Sequence, residues 1–226
     1  ALCLDASGSM FNADYSIVNS FKSLVKSFKG ERVSLTIFNS TPEQVFPLTD
    51  NYDYIINNLN KLEHAFKGNL DPSKDGYNIF QGTVGSNSGS SLIGNGLIGC
   101  LSSFDNPQQN RSRSVILATD NQQNGDSIIT LDYALDQAQA KKIDVYGIAP
   151  QTSTIVDGGL ATQDKDSMQK AIESRKGKFY TYTNSFSGSS IVSSINTTTM
   201  NAVKGTPYAT KTDEPITLLI IIAILY

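Results

Sequence analysis

Apolar positions recur along this chain in two alternating rhythms. Residues 1–4 form a short apolar run, after which Ile17, Phe21, Leu24, Val25 and Phe28 keep the spacing of one helical face. Gly30 closes that helix. Val33, Leu35 and Ile37 then alternate with Ser34 and Thr36, the period of a strand, and residues 44–48 can return beside it after the turn Asn39-Ser40-Thr41-Pro42. Ile55, Leu59, Leu62 and Phe66 mark a second helix. Residues 67–91 break the rhythm: they are rich in Gly, Ser, Asn and Asp and read as a long surface loop. Helical spacing resumes at Ile93, Leu97, Cys100, Leu101 and Phe104. Residues 114–118 are a continuous apolar run, as expected of a strand covered on both faces. Leu131, Ala134, Leu135 and Ala138 predict a helix, and residues 144–149 a strand. Met168, Ala171 and Ile172 predict another helix, residues 178–182 another strand, and Ile191, Val192 and Ile195 a last helix.

Strands alternating with helices predict an α/β fold, with a mostly parallel central sheet, one antiparallel edge strand and helices on both faces. Residues 1–203 read as one domain that starts within its first strand, so the chain is expected to begin inside a larger protein; no signal-peptide pattern opens it. Residues 204–215 carry Pro207 and Pro215 and read as a linker. Residues 216–226, ITLLIIIAILY, are an apolar tail. A spanning helix needs about 20 apolar residues, so this stretch is read as the start of a transmembrane helix, the other reading being a buried strand. Lys204 and Lys211 precede it beside Asp213 and Glu214, so flanking charge does not set its orientation.

Composition narrows the function. The chain has 226 residues, with 18 Lys and Arg against 21 Asp and Glu, a net charge of -3. Nothing in this resembles the basic excess of a nucleic-acid binder. Cys3 and Cys100 are not in a C-x-x-C pair, and His64 is the single histidine, which excludes a His-His zinc site and weakens any His-dependent catalysis. His64 is expected to be solvated near a helix end. The cysteines read most simply as buried free thiols, with a Cys3–Cys100 disulfide as the alternative in an extracytoplasmic setting. Asp71-Pro72-Ser73-Lys74-Asp75-Gly76 lacks the alternating oxygen ligands of a calcium loop and reads as a turn.

The segment Asp5-Ala6-Ser7-Gly8-Ser9-Met10 follows the first strand and precedes the first helix. In doubly wound sheets ligands bind outside the carboxyl ends of the strands, which is where Asp5 falls. Ser7 and Ser9 alternate, so both hydroxyls can face one point, and Gly8 is expected to allow a tight turn. Ser91 opens the helix that contains Leu97, with Ser90 as an alternative, and Asp120 ends the strand 114–118. Carboxylates with hydroxyls are a hard oxygen set, suited to Mg²⁺ or Mn²⁺. The plainer reading of the first segment is a strand-to-helix turn with serine as helix cap.

Asp5-Ala6-Ser7-Gly8-Ser9-Met10 resembles the signature of the von Willebrand factor type A fold and its metal-ion-dependent adhesion site (MIDAS). The Ser91 segment resembles the family's second motif, where Thr is usual, and Ala118-Thr119-Asp120-Asn121 its third, with Asn121 in place of Gly. The resemblance implies a Rossmann-like doubly wound fold. It also implies a divalent cation, Mg²⁺ or alternatively Mn²⁺ or Ca²⁺, held by Asp5, Ser7, Ser9, Ser91 and Asp120 and completed by an Asp or Glu of a protein partner. Residues 31–38, 46–50, 143–148 and 176–180 are similar to bacterial membrane-anchored Bat-type proteins. That likeness implies a non-enzymatic binding or assembly module, anchored through the C-terminal segment with its domain outside the cytoplasm. The alternatives are an interaction domain with a vestigial metal site and a Mg²⁺-dependent phosphohydrolase. The phosphohydrolase class needs a second Asp where this chain has Ser7.

Overall fold

The computed structural model describes residues 1–67, 83, 91–105, 111–123, 127–150, 165–182, 191 and 193–194, with the backbone alone at 11–14. β1 (Leu2–Asp5) leads through a 3-10 turn (Gly8–Met10) into α1 (Phe11–Ser27). β2 (Val33–Phe38), β3 (Pro42–Thr49) and α2 (Tyr52–Lys67) follow, then α3 (Ile93–Leu101) and β4 (Arg113–Ala118). α4 (Leu131–Ala140), β5 (Ile143–Pro150), α5 (Lys165–Glu173) and β6 (Lys178–Tyr182) complete the described elements. Most of the 67–91 stretch, the 204–215 linker and the 216–226 tail lie outside the described residues. Among those described, no helix is long and apolar enough to cross a membrane.

The strands lie in the order β3-β2-β1-β4-β5-β6. All neighbours run parallel except β2 and β3, so β3 is the antiparallel edge that the hairpin pattern predicts. Strand order reverses at β1, which lies between β2 and β4. The carboxyl ends of β1, β2 and β4 therefore meet on one edge, with Asp5 beside Phe38 and Leu4 beside Ala118.

Alternation along each strand divides the core in two. Leu2, Leu4, Leu35, Ile37, Ile116 and Ala118 face α1 and α2, where Ile17, Phe21, Leu59 and Leu62 are buried. Cys3, Val115, Leu117 and Val145 face the opposite layer, with Leu97, Leu135 and Met168. Each fully buried Leu or Phe contributes about 1.5–3 kcal/mol relative to exposure, so both layers are large stabilising terms.

Ser34 and Thr36, the polar positions of β2, are both buried because α3 covers that side, and Ser34 Oγ meets Ser103 Oγ at 2.9 Å. Gly96 permits this approach: a Cβ there would lie 2.3 Å from the Phe38 ring. The free-thiol reading is corrected. Cys3 on β1 and Cys100 on α3 are joined in a disulfide, with their Cα atoms 5.8 Å apart. Close seating of α3 on the sheet brings together two sulfurs that are 97 positions apart in sequence. His64 is exposed on α2, as expected.

Candidate metal centre

Asp5 is the last residue of β1 and is fully buried. Its Oδ1 accepts the Ser7 backbone N–H at 3.0 Å, which folds the chain back immediately after the strand. Ser7 Oγ and Ser9 Oγ lie 3.2 Å apart, so the two hydroxyls do converge. Neither begins the following helix. The N-cap of α1 is Met10, with no side-chain capping bond, so the reading of this segment as a serine-capped helix start is not what the chain adopts. Gly8 is not demanded by backbone conformation, since it is absent from the positive-φ glycines and a Cβ there would meet nothing within 4 Å.

β4 brings the second carboxylate. Asp120 follows its carboxyl end, is 1% exposed, and its Oδ1 accepts the Gln122 backbone N–H at 2.9 Å. Asp120 Oδ2 is buried and has no hydrogen-bond partner. Asn121 has a φ of 57°, the left-handed conformation that Asn tolerates better than most residues, so it supports the turn that a glycine makes in the family's motif. Ser91 is buried just before α3, and the next residue is tied to the same sheet edge: Leu92 N–H donates to the Asn39 carbonyl at 2.9 Å, immediately beyond β2. Ser90 lies outside the described residues.

Thr119 was not among the candidate ligands, yet it is fully buried and its hydroxyl donates to Asp5 Oδ2 at 2.7 Å. It also accepts the Asn121 N–H at 3.1 Å. The signal was its place beside Asp120 at a strand end, but only the register of β1 on β4 shows which carboxylate it meets.

Burial, and then the charge of Asp120, push the Asp5 carboxyl up to about 7, while hydrogen bonds from Thr119 and Ser7 pull it down. Two carboxylates buried side by side repel one another, and an unpartnered carboxylate oxygen in a dry site is costly. A small divalent cation answers both features, and the surrounding hydroxyls suit a hard cation. Among the described residues no three His, Cys, Asp or Glu side chains converge, so a soft thiolate or imidazole cage is not what these residues offer. Recesses of about 390 and 570 Å³ open on the opposite edge of the sheet, away from the carboxylates.

No curated protein is significantly similar to the chain in sequence. Among solved structures, BatB from Bacteroides thetaiotaomicron superposes with a TM-score of 0.64 at 18% identity, over 87% of this chain and 96% of that one. An aerotolerance-related membrane protein from Bacteroides fragilis NCTC 9343 gives 0.61 at 18% identity, over 88% and 96%. Proximal thread matrix protein 1 from the mussel byssus, in a form with a zinc-occupied MIDAS motif, gives 0.53 at 18% identity, over 89% of this chain and 46% of that one. At these identities the likeness is one of fold. The sequence profile of the von Willebrand factor type A domain matches residues 1–123, a span that runs from β1 past Asp120. The chain belongs to the von Willebrand factor type A domain family.

Proposed function

We propose that the chain is a divalent-cation-dependent protein-binding module of a bacterial membrane-attached protein. Asp5, Ser7, Ser9, Ser91 and Asp120 hold Mg²⁺, or alternatively Mn²⁺ or Ca²⁺, directly or through water. The observation that carries this reading is the buried, unpartnered Asp120 Oδ2 beside the buried carboxyl of Asp5. A bound cation supplies a positive centre with a position left for an oxygen ligand, which an Asp or Glu of a partner protein fills. Thr119 holds Asp5 in place from the neighbouring strand, and Leu92 holds the Ser91 turn against β2.

The zinc-occupied MIDAS motif of the mussel protein supports cation binding on this fold, and the aerotolerance-related membrane protein supports membrane attachment. The Cys3–Cys100 disulfide supports a domain on the oxidising, outer side of the membrane. A binding module needs no nucleophile or proton-transfer pair, and this reading assigns none.

Calorimetric titration of Mg²⁺ and Mn²⁺ into the metal-stripped chain tests the proposal, with Asp5→Ala as the control. One saturable site, lost in the variant, is the expected result. Absence of binding by a folded wild-type chain, both alone and with acetate supplied as a surrogate carboxylate, would overturn it.

A further inference from the structure

The edge opposite the carboxylates is basic. Lys29 precedes β2, Arg111 precedes β4, Lys141 and Lys142 precede β5, and Lys176 precedes β6; all five are exposed. Some cations here are neutralised. Arg32 forks onto Asp105 at 2.8 and 2.7 Å, Arg175 meets Asp132 at 2.9 Å and Asp136 at 2.6 Å, and Lys178 lies near Asp144. Glu31, Asp50, Asp53 and Glu173 are the other acids near this edge. Lys29, Lys141, Lys142 and Lys176 make no ion pair among the described residues, and Arg111 adds its charge to that of Arg32 beside Asp105.

Basic residues after helix C-termini complement the helix dipole, which accounts for part of this pattern. It does not account for the backbone. Lys142 has a φ of 54° and Lys176 a φ of 64°, left-handed conformations that favour glycine. At the corresponding junction after α1 the left-handed residue is Gly30, with a φ of 114°. Two helix-to-strand junctions therefore accept a strained lysine where glycine would relax the chain. Beside the Lys141–Lys142 junction, a recess of about 570 Å³ is lined by Arg113, Lys141, Lys142 and Asp105 over Phe104 and Ile143. Five parallel strands begin along this edge, and at about 4.8 Å per strand the row of charges extends about 19 Å.

We infer that this edge is a docking face for an anionic lipid bilayer, which turns the Asp5–Asp120 edge away from the membrane. Lysine is depleted from protein–protein interfaces, whereas dispersed lysines suit a diffuse layer of anionic headgroups. The apolar tail at 216–226 supplies the second, hydrophobic signal that stable membrane attachment needs. The inference goes beyond membrane attachment as proposed above and does not depend on cation binding.

The test is co-sedimentation of the full chain, in EDTA, with vesicles of phosphatidylcholine alone and with 30% phosphatidylglycerol, at low and high salt. Lys142→Gly/Lys176→Gly removes two charges and relaxes both backbones, so lost binding is not lost folding; thermal melting verifies this. Partitioning is expected to rise with phosphatidylglycerol and fall with salt. It is expected to drop roughly fivefold per lysine removed, roughly 25-fold in the double variant. Equal partitioning onto both vesicle types overturns the inference while leaving attachment through the tail intact. An unchanged double variant also overturns it. Preferential binding to soluble polyglutamate over anionic vesicles would assign the face to an acidic protein instead.

Discussion

Thr119 donates a 2.7 Å hydrogen bond to Asp5, linking the ends of two adjacent strands across 114 positions of sequence. The bond fixes one oxygen of a buried carboxylate while the Ser7 N–H fixes the other. Groups that orient a metal ligand from outside typically contribute 10–100-fold to metal affinity. Thr119→Val is therefore expected to weaken Mn²⁺ binding by roughly that factor in calorimetry, and Thr119→Ser to stay near wild type. Wild-type affinity in a folded Val variant would show that Asp5 needs no such support.

Asp5 also makes cation binding and stability depend on pH. Its folded-state value, pushed to about 7 by burial and Asp120, lies above its ordinary value, so the folded state binds this proton more tightly than the unfolded one. The stabilising contribution is complete below the ordinary carboxylate range and is lost as pH rises through about 7. In EDTA, the melting temperature of wild type relative to Asp5→Asn should fall between pH 4 and 7, and saturating Mg²⁺ should remove that slope. At pH 6, cation binding should release protons, read as a dependence of binding heat on buffer ionisation enthalpy. A slope that is identical in wild type and variant would rule out Asp5 as its source.

Asp120→Asn separates a folding role from a binding role. Asn keeps the acceptor that meets the Gln122 N–H and replaces the unpartnered oxygen with a donor beside Asp5. Removing an uncompensated buried charge relieves a penalty of roughly 1–3 kcal/mol. The expected result is a metal-stripped protein at least as stable as wild type, measured by urea unfolding, with Mg²⁺ binding lost. A variant less stable by several kcal/mol would mean that Asp120 serves the fold.

The Cys3–Cys100 disulfide joins the strand that carries Asp5 to the helix that Ser91 introduces. Its stabilisation, for a bridge spanning 97 positions, is expected at about 2–4 kcal/mol. Cys3→Ala/Cys100→Ala should lose that much in urea unfolding. The variant should also bind cations more weakly, because β1 and α3 then position Asp5 and Ser91 through packing alone. Unchanged stability with the bond verified in wild type would contradict this.

Much of the site was legible because its residues stand at element ends, where local patterns change. The apolar run 114–118 identifies β4, and so places Asp120 at a sheet edge without any tertiary knowledge. Asn121 in its left-handed turn was similarly readable, since few residue types accept that backbone. What escaped the sequence depends on packing between distant segments. Thr119 meets Asp5 only because β4 lies next to β1 in this register. Ser34 meets Ser103 only because α3 seats on that face of β2. The cysteines gave no hint of their separation, which is set by the same helix. Gly8 looked conformationally necessary and is not, because the 3-10 turn at Gly8–Met10 needs no positive φ there.

The bridge between Cys3 and Cys100 also closes the chain into a covalent ring that includes β2, β3 and α2. A protease that severs any peptide bond inside that ring yields two polypeptides but still one molecule. Its N-terminal piece stays tethered through Cys3 to the piece that carries Cys100 and Asp120. In a protease-exposed compartment, the unit that survives such a nick is thus set by a single bond between β1 and α3, and a cleaved copy would separate into fragments only under reducing conditions.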